Sequence, residues 1–153
     1  MDNIQRANWD DLDIDPSDAR ILLGDALYTG IAEARYPCGN LESEKLIYQG
    51  CDVNISRAWY LSGGKQHVER YPDPTMHERI AWHENGVMSF RLLRLLRLEI
   101  LRQEFDEQGV LQNEYRIPDS SPTLKKTQDK IALGATIIQP YLTTLWDPLA
   151  SNP

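Results

Sequence analysis

The amino-acid sequence predicts a mainly β fold, in which repeated hairpins form one antiparallel meander. Three observations lead to this prediction. Four segments align without gaps around one glycine each, and apolar and polar residues alternate before these glycines, as in half-buried strands. The third observation is composition, because 153 residues with 41% hydrophobic side chains suffice for one modest core. A disordered chain and a large multidomain enzyme are both excluded.

The repeat is defined by its glycines, which are spaced by 25, 22 and 23 residues. These glycines are Gly39, Gly64, Gly86 and Gly109. In three copies an aromatic residue lies four positions before the glycine, and in three copies a glutamate lies five positions after it. Because glycine readily supplies the positive φ of a hairpin turn, we expect two strands of ~5–6 residues and two turns in each copy.

The chain begins with an acidic segment. The formal net charge is −7, and residues 1–33 hold eight acidic side chains against two basic ones. Asp11, Asp13 and Asp15 alternate as in a calcium loop, but Pro16 stands where that loop needs glycine, so we predict no metal. Asp15 and Pro16 are instead typical of a helix start. We expect a short helix from Pro16 to Leu23, or an acidic arm.

The stretch Arg91–Arg102 is rich in leucine and arginine, both good helix formers. On a helical wheel its leucines and arginines scatter around the whole circumference, so no apolar stripe forms. The repeat register therefore predicts two strands with a turn near Leu95–Arg97, and a helix is the alternative.

The tail departs from the repeat. Leu124–Leu149 is apolar enough to pack, but Pro140 and Pro148 limit any helix there to short pieces. We expect an irregular, partly helical segment that caps the sheet. The predicted organisation is an arm or helix over 1–24, hairpin repeats over 25–117 and a cap over 118–153.

No catalytic constellation emerges from the sequence. The histidines His67, His77 and His83 have no metal-binding spacing, and Ser62–Lys65 lacks the glycine pattern of a phosphate loop. Cys38 and Cys51 are read as reduced thiols, with a single disulfide as the alternative. We predict no catalytic residue, no cofactor and no metal.

The segment Leu27–Gly50 (LYTGIAEARYPCGNLESEKLIYQG) resembles the repeat of the YwqK-type antitoxins, also called MORN-variant repeats. That pattern runs roughly Y-x-G, Y-P-N-G-x-L-x-x-E and Y-x-N-G, and residues 85–114 resemble later copies. The resemblance covers about residues 25–117. It implies an array of antiparallel hairpins and, for many members, an antitoxin or immunity role beside a secreted polymorphic toxin.

These observations lead to a functional hypothesis, a non-enzymatic immunity protein in the cytoplasm. An acidic chain suits a basic toxin domain, such as a nuclease or deaminase, and argues against binding nucleic acid. The expected partner contacts are aspartates of the N-terminal segment and two strand tryptophans. These residues are Asp10, Asp11, Asp13, Asp15, Asp18, Trp59 and Trp82.

Two other classes stay open. A MORN-like scaffold could touch anionic lipid through the arginines of Arg91–Arg102, although the overall acidity makes membrane binding less favoured. A small enzyme is the least favoured class. Exposed sheet edges would favour a homodimer, whereas charges along those edges would oppose it.

Overall fold

The computed structural model describes residues 4–149 and confirms the mainly β meander. Within that range the strands are β1 (Arg6–Asn8), β2 (Asp13–Ile14), β3 (Ile21–Leu23), β4 (Ala26–Leu27), β5 (Gly30–Arg35), β6 (Leu41–Tyr48), β7 (Cys51–Trp59), β8 (Lys65–Asp73), β9 (Met76–Trp82), β10 (Met88–Leu95), β11 (Leu98–Phe105) and β12 (Leu111–Arg116). The helices are α1 (Pro122–Ala132) and α2 (Leu142–Leu145).

Strands β5 to β12 form consecutive antiparallel hairpins in one sheet. The strand β1 adds to one edge of this sheet, parallel to β5, with Arg6 opposite Ile31. At the other edge lies β12, whose residues are all exposed. A separate three-stranded sheet consists of β2, β3 and β4.

The turns that end β5, β7, β9 and β11 share one hydrogen-bond pattern. Their first residues are Tyr36, Tyr60, His83 and Asp106. In each turn the first residue donates its amide to the carbonyl four residues later and accepts from the amide three residues later. The residue three positions after the first is a glycine with φ between 80° and 91°. These glycines are Gly39, Gly63, Gly86 and Gly109.

In the second copy, the turn glycine lies one residue earlier than the sequence predicted. The glycine with positive φ is Gly63 (88°), whereas Gly64 supplies the carbonyl that accepts from Tyr60. The tandem glycines made either alignment possible in the sequence. With this shift the equivalent of Glu44 is Val68 and not Glu69, which agrees with the strand register across β6, β7 and β8.

The stretch Arg91–Arg102 is a hairpin, as the repeat register predicted. Leu95 pairs with Leu98, and Leu96 adopts a left-handed φ of 55° in the turn between them. Pairing on both sides, with β9 and with β12, outweighs the helix propensity of the leucines and arginines.

The expected helix from Pro16 to Leu23 does not form. Ala19 has φ 59°, which is incompatible with a right-handed helix. The chain turns at residues 15–20, and Ile21 then donates its amide to the carbonyl of Gly50 at 2.9 Å. Burial of Ile21 against Tyr28, Ala32 and Ile47 stabilises the strand conformation instead.

The C-terminal segment caps one face of the sheet. Ser121 begins α1 by accepting a hydrogen bond from the amide of Leu124. Further along, Ile138, Leu142 and Trp146 pack with strand residues in the main core cluster. The strand residues of this cluster are Ile31, Leu46 and Ile55. As expected from Pro140, α2 has only four residues.

Candidate functional site

The acidic segment is an ordered ribbon, here defined as residues 9–27. It comprises a short 3-10 helix (Trp9–Asp11) and the strands β2 to β4. Asn8 begins the 3-10 helix, since its side chain accepts from the amide of Asp10 at 3.2 Å. Five of the six ribbon aspartates are exposed and Asp15 is half-buried. The negative charge therefore lies on a folded backbone and not on a loose arm.

Two of the predicted contact residues hold a turn of the ribbon. The carboxylate of Asp15 accepts from the hydroxyl and the amide of Ser17, at 2.6 and 2.8 Å, and these bonds lower the pKa of Asp15. Asp18 forms a 3.0 Å ion pair with Arg20. Both aspartates thus have intramolecular partners.

The other three predicted aspartates remain open to a partner. Within residues 4–149, no Lys or Arg nitrogen forms an ion pair with Asp10, Asp11 or Asp13. The basic residues closest to them in sequence are Arg6 and Arg20, and each is paired with other carboxylates. These three carboxylates form the candidate functional site.

Packing against the large sheet fixes the ribbon in place. The hydroxyl of Tyr28 donates to the carbonyl of Ile31 at 2.9 Å, and the amide of Gly50 donates to the carbonyl of Tyr28 at 2.8 Å. Gly30 allows the chain to pass closely at this point, because a Cβ there would lie 2.4 Å from the carbonyl oxygen of Gln5. The end of the ribbon therefore packs against the turn that joins β6 to β7.

A chain of ion pairs ties the strand before the ribbon to the sheet. Arg6 bridges Glu33 on β5 and the buried Glu44 on β6, and Glu44 also pairs with the buried Arg57 on β7. Arg35 continues the chain to Glu33 at 3.0 Å. Although burial raises the pKa of Glu33, the hydrogen bonds from Arg6 and Arg35 outweigh it and lower that pKa overall.

The two predicted tryptophan contacts lie elsewhere. Trp59 is only 6% exposed, and the Arg57 guanidinium lies between its ring and that of Trp146, 5.0 and 5.4 Å from the two ring centroids. Trp59 is therefore a core residue and not available to a partner. Trp82 is half-buried at the end of β9. The two tryptophans are the last residues of β7 and β9, and no contact joins either of them to a ribbon aspartate among residues 4–149.

Trp9 is the aromatic residue that sequence reasoning missed. It is 36% exposed and directly precedes Asp10, and the Lys45 ammonium lies 6.0 Å from its ring centroid. Together with Ala32, Ala34 and Ser43, Trp9 and Lys45 line a small cavity of about 150 Å³. Its position beside two aspartates was the available signal in the sequence.

The histidines and cysteines are dispersed. His83 begins the turn after β9, and its Nε2 hydrogen-bonds with the carbonyl of Phe105 at 2.9 Å. Cys38 and Cys51 are both exposed free thiols, so the alternative of a disulfide between them is wrong. Among the described residues no group of three or more His, Cys, Asp or Glu side chains is placed to hold a metal ion.

The fold and this surface define a class, a hairpin-repeat protein with an acidic ribbon at one end of the array. Comparisons with protein-family models, with curated proteins and with solved structures find no match to this chain. In the part of the chain that the structure describes, no helix has the length and apolar character needed to cross a membrane.

Proposed function

We propose that this protein is a YwqK-type immunity protein, without enzymatic activity, that binds a basic toxin domain in the cytoplasm. One observation carries the proposal. Asp10, Asp11 and Asp13 are exposed on a folded ribbon, while the nearby cations Arg6 and Arg20 are engaged in other ion pairs. The ribbon is thus left with negative charge that has no partner in the described chain.

An ordered acidic surface suits this role for a physical reason. Fixed carboxylates attract a basic partner at long range and accelerate association, with little loss of conformational entropy on binding. Trp9 lies beside them and offers an exposed ring, the type of side chain that anchors many protein interfaces. Nucleases and deaminases need basic surfaces to grip nucleic acid, so a blocking partner gains from acidity.

The ion pairs favour this proposal over a scaffold at a membrane. Of the four arginines in the hairpin Arg91–Arg102, Arg91 pairs with Glu78 at 3.1 Å and Arg102 pairs with Glu99 at 2.9 Å. Half of the arginine charge in this hairpin is therefore compensated within the protein. The remaining two, Arg94 and Arg97, line one cavity, so only two uncompensated arginine charges are left in this hairpin for a lipid surface.

The decisive experiment is genetic. Each reading frame next to the gene would be expressed in a susceptible bacterial host, alone and with this protein. We expect one of them to encode a domain that stops growth alone and is tolerated when this protein is co-expressed. If no neighbouring frame is toxic, or if toxicity persists despite co-expression, the proposal is wrong.

The same toxin domain then tests the ribbon. We expect the triple variant Asp10→Asn, Asp11→Asn and Asp13→Asn to associate at least about tenfold more slowly at low salt, and to show a flatter salt dependence. A matched control removes three exposed charges elsewhere, with Glu107→Gln, Asp119→Asn and Asp129→Asn. Equal slowing in both triple variants would exclude the ribbon as the binding surface.

A further inference from the structure

A second candidate site lies at the end of the sheet formed by the turns after β8 and β10. The largest of the cavities described, about 550 Å³, opens there. Its polar walls come from the strands, with Glu69 on β8, His77 on β9, Arg94 on β10 and Glu99 on β11. His77 pairs in register with Arg94, and Arg94 with Glu99, so one row of residues crosses three strands.

The charges in this cavity are unequally compensated. The carboxylates pair outside the cavity, Glu69 with Arg79 at 3.6 Å and Glu99 with Arg102 at 2.9 Å. By contrast, no carboxylate within residues 4–149 forms an ion pair with Arg94 or Arg97. Two guanidinium groups thus line one cavity without an anionic partner.

His77 provides an independent observation at the same place. The residue is 7% exposed, and its Nε2 is buried without a hydrogen-bond partner. Buried polar atoms are nearly always satisfied, so this nitrogen, in a residue that lines the cavity, is a polar group that the protein itself leaves unsatisfied at the site. Burial lowers the pKa of His77, and the Arg94 and Arg79 charges lower it further, against the opposing effect of Glu69.

The remaining walls are apolar or aromatic. Tyr71 lies with its ring centroid 5.1 Å from that of His77, and Leu96 and Ile137 close the cavity from a turn and from the C-terminal segment. Leu96 is held at φ 55°, a conformation that costs a non-glycine residue roughly 1–2 kcal/mol. Such strain is frequently found beside ligand sites.

We propose that this cavity binds a small molecule with an oxyanion head, a phosphate or a carboxylate, and a compact ring. The head lies between Arg94 and Arg97, which can each donate two parallel hydrogen bonds to it. The ring packs against Tyr71, Leu96 and Ile137. The volume lies within the usual ~300–1,000 Å³ of small-molecule sites.

Three probes with the same ring test this site. Phenyl phosphate and benzoate carry the two possible heads, and benzyl alcohol carries none. We expect at least one anion to shift the amide NMR signals of residues 94–97 and 137 in a saturable manner, and benzyl alcohol to bind at least about tenfold more weakly. The anion that binds more tightly identifies the head. No saturable shift with either anion, or equal binding of benzyl alcohol, would overturn the proposal.

Two arginine variants test where the oxyanion head of the ligand binds. Arg94→Gln and Arg97→Gln should each weaken binding of the preferred anion by at least about tenfold, because each removes a charge-assisted hydrogen-bond donor. The control is Arg116→Gln, which removes an exposed arginine on β12 that has no ion pair among residues 4–149. All three arginines are exposed, so these variants should fold. Unchanged affinity in both cavity variants would refute the assignment.

The imidazole of His77 gives a second readout that does not depend on any variant. The charges that act on it are those of Glu69, Arg79 and Arg94, and its ring packs against Tyr71. An anion between the two cavity arginines would offset the repulsion of a protonated imidazole by Arg94. We expect the pKa of His77, followed by the NMR signals of its ring, to rise when the anion binds, and a constant pKa at saturation would contradict the placement.

Discussion

The hydroxyl of Tyr36 donates a 2.9 Å hydrogen bond to the carbonyl oxygen of Trp59, which lies one turn further along the array. Tyr60 repeats this bond to the carbonyl of Trp82 at 2.8 Å. The third turn begins with His83, whose Nε2 takes the same place against the carbonyl of Phe105. Each turn is thus connected to the next by the side chain of its first residue.

The last turn ends this ladder. Asp106 occupies the equivalent position, but its carboxylate accepts from the amides of Gln108 and Val110 in its own turn, at 3.0 and 2.9 Å. The short acidic side chain therefore satisfies backbone amides of its own turn, at the place where no further turn follows. The array therefore has an atypical final repeat, as repeat proteins commonly do.

Removing the tyrosine hydroxyls should weaken the ladder step by step. We expect Tyr36→Phe and Tyr60→Phe each to lower the free energy of unfolding by about 0.5–1.5 kcal/mol, since each removes one intramolecular hydrogen bond. Chemical denaturation would measure the change. The control is Tyr115→Phe on the exposed strand β12, where we expect less than about 0.5 kcal/mol. Equal losses in all three variants would show that the ladder does not stabilise the array.

The turns were the most predictable feature of the fold because their signals are local. Alternating strands and a glycine with positive φ occur within about ten residues of each other, and the tandem Gly63–Gly64 was the one ambiguous case. The ribbon was not predictable in this way. The strand at Ile21 depends on the carbonyl of Gly50 and on burial against Ile47, which are remote in sequence.

The candidate sites show the same division. The exposure of Asp10, Asp11 and Asp13 agrees with their acidic local sequence. The Arg94–Arg97 cavity could not be predicted, because it requires the bend of the hairpin turn and the approach of Ile137 from the C-terminal segment. Distant contacts of this kind leave no periodic pattern in the chain.

The tandem glycines allow a matched test of the turn register. Gly63→Ala should destabilise the protein by roughly 1–2 kcal/mol, because alanine is strained at φ 88°. Gly64→Ala should be neutral or slightly stabilising, since an added Cβ would lie at an ordinary contact distance of 3.6 Å from the carbonyl oxygen of Glu84. Thermal unfolding of the two variants would distinguish them. If Gly64→Ala were instead the more destabilising variant, the glycine that needs a positive φ would be Gly64, as the sequence predicted.

The buried carboxylate of Glu44 should be essential for stability. Glu44→Ala leaves the buried Arg57 without this partner and releases Arg6 from one of its two carboxylates. We expect a loss of about 3–5 kcal/mol in the free energy of unfolding, the usual cost of breaking a buried pair on one side. Glu42→Ala, which removes an exposed carboxylate from the same strand, is the control and should change stability by less than about 0.5 kcal/mol. If both variants were equally stable, the ion-pair chain would have no structural role.

Stability should also depend on pH through two histidines. Burial is the main cause that lowers the pKa of both His67 and His77 in the folded protein. As the pH falls through the ordinary histidine pKa of about 6.5, the unfolded chain binds protons that the folded chain does not bind. The free energy of unfolding should therefore be greatest above about pH 7 and fall between about pH 7 and 5.5. Denaturation at several pH values would measure this slope, and the double variant His67→Gln and His77→Gln should flatten it. A slope that is unchanged in the double variant would assign the pH dependence to other groups.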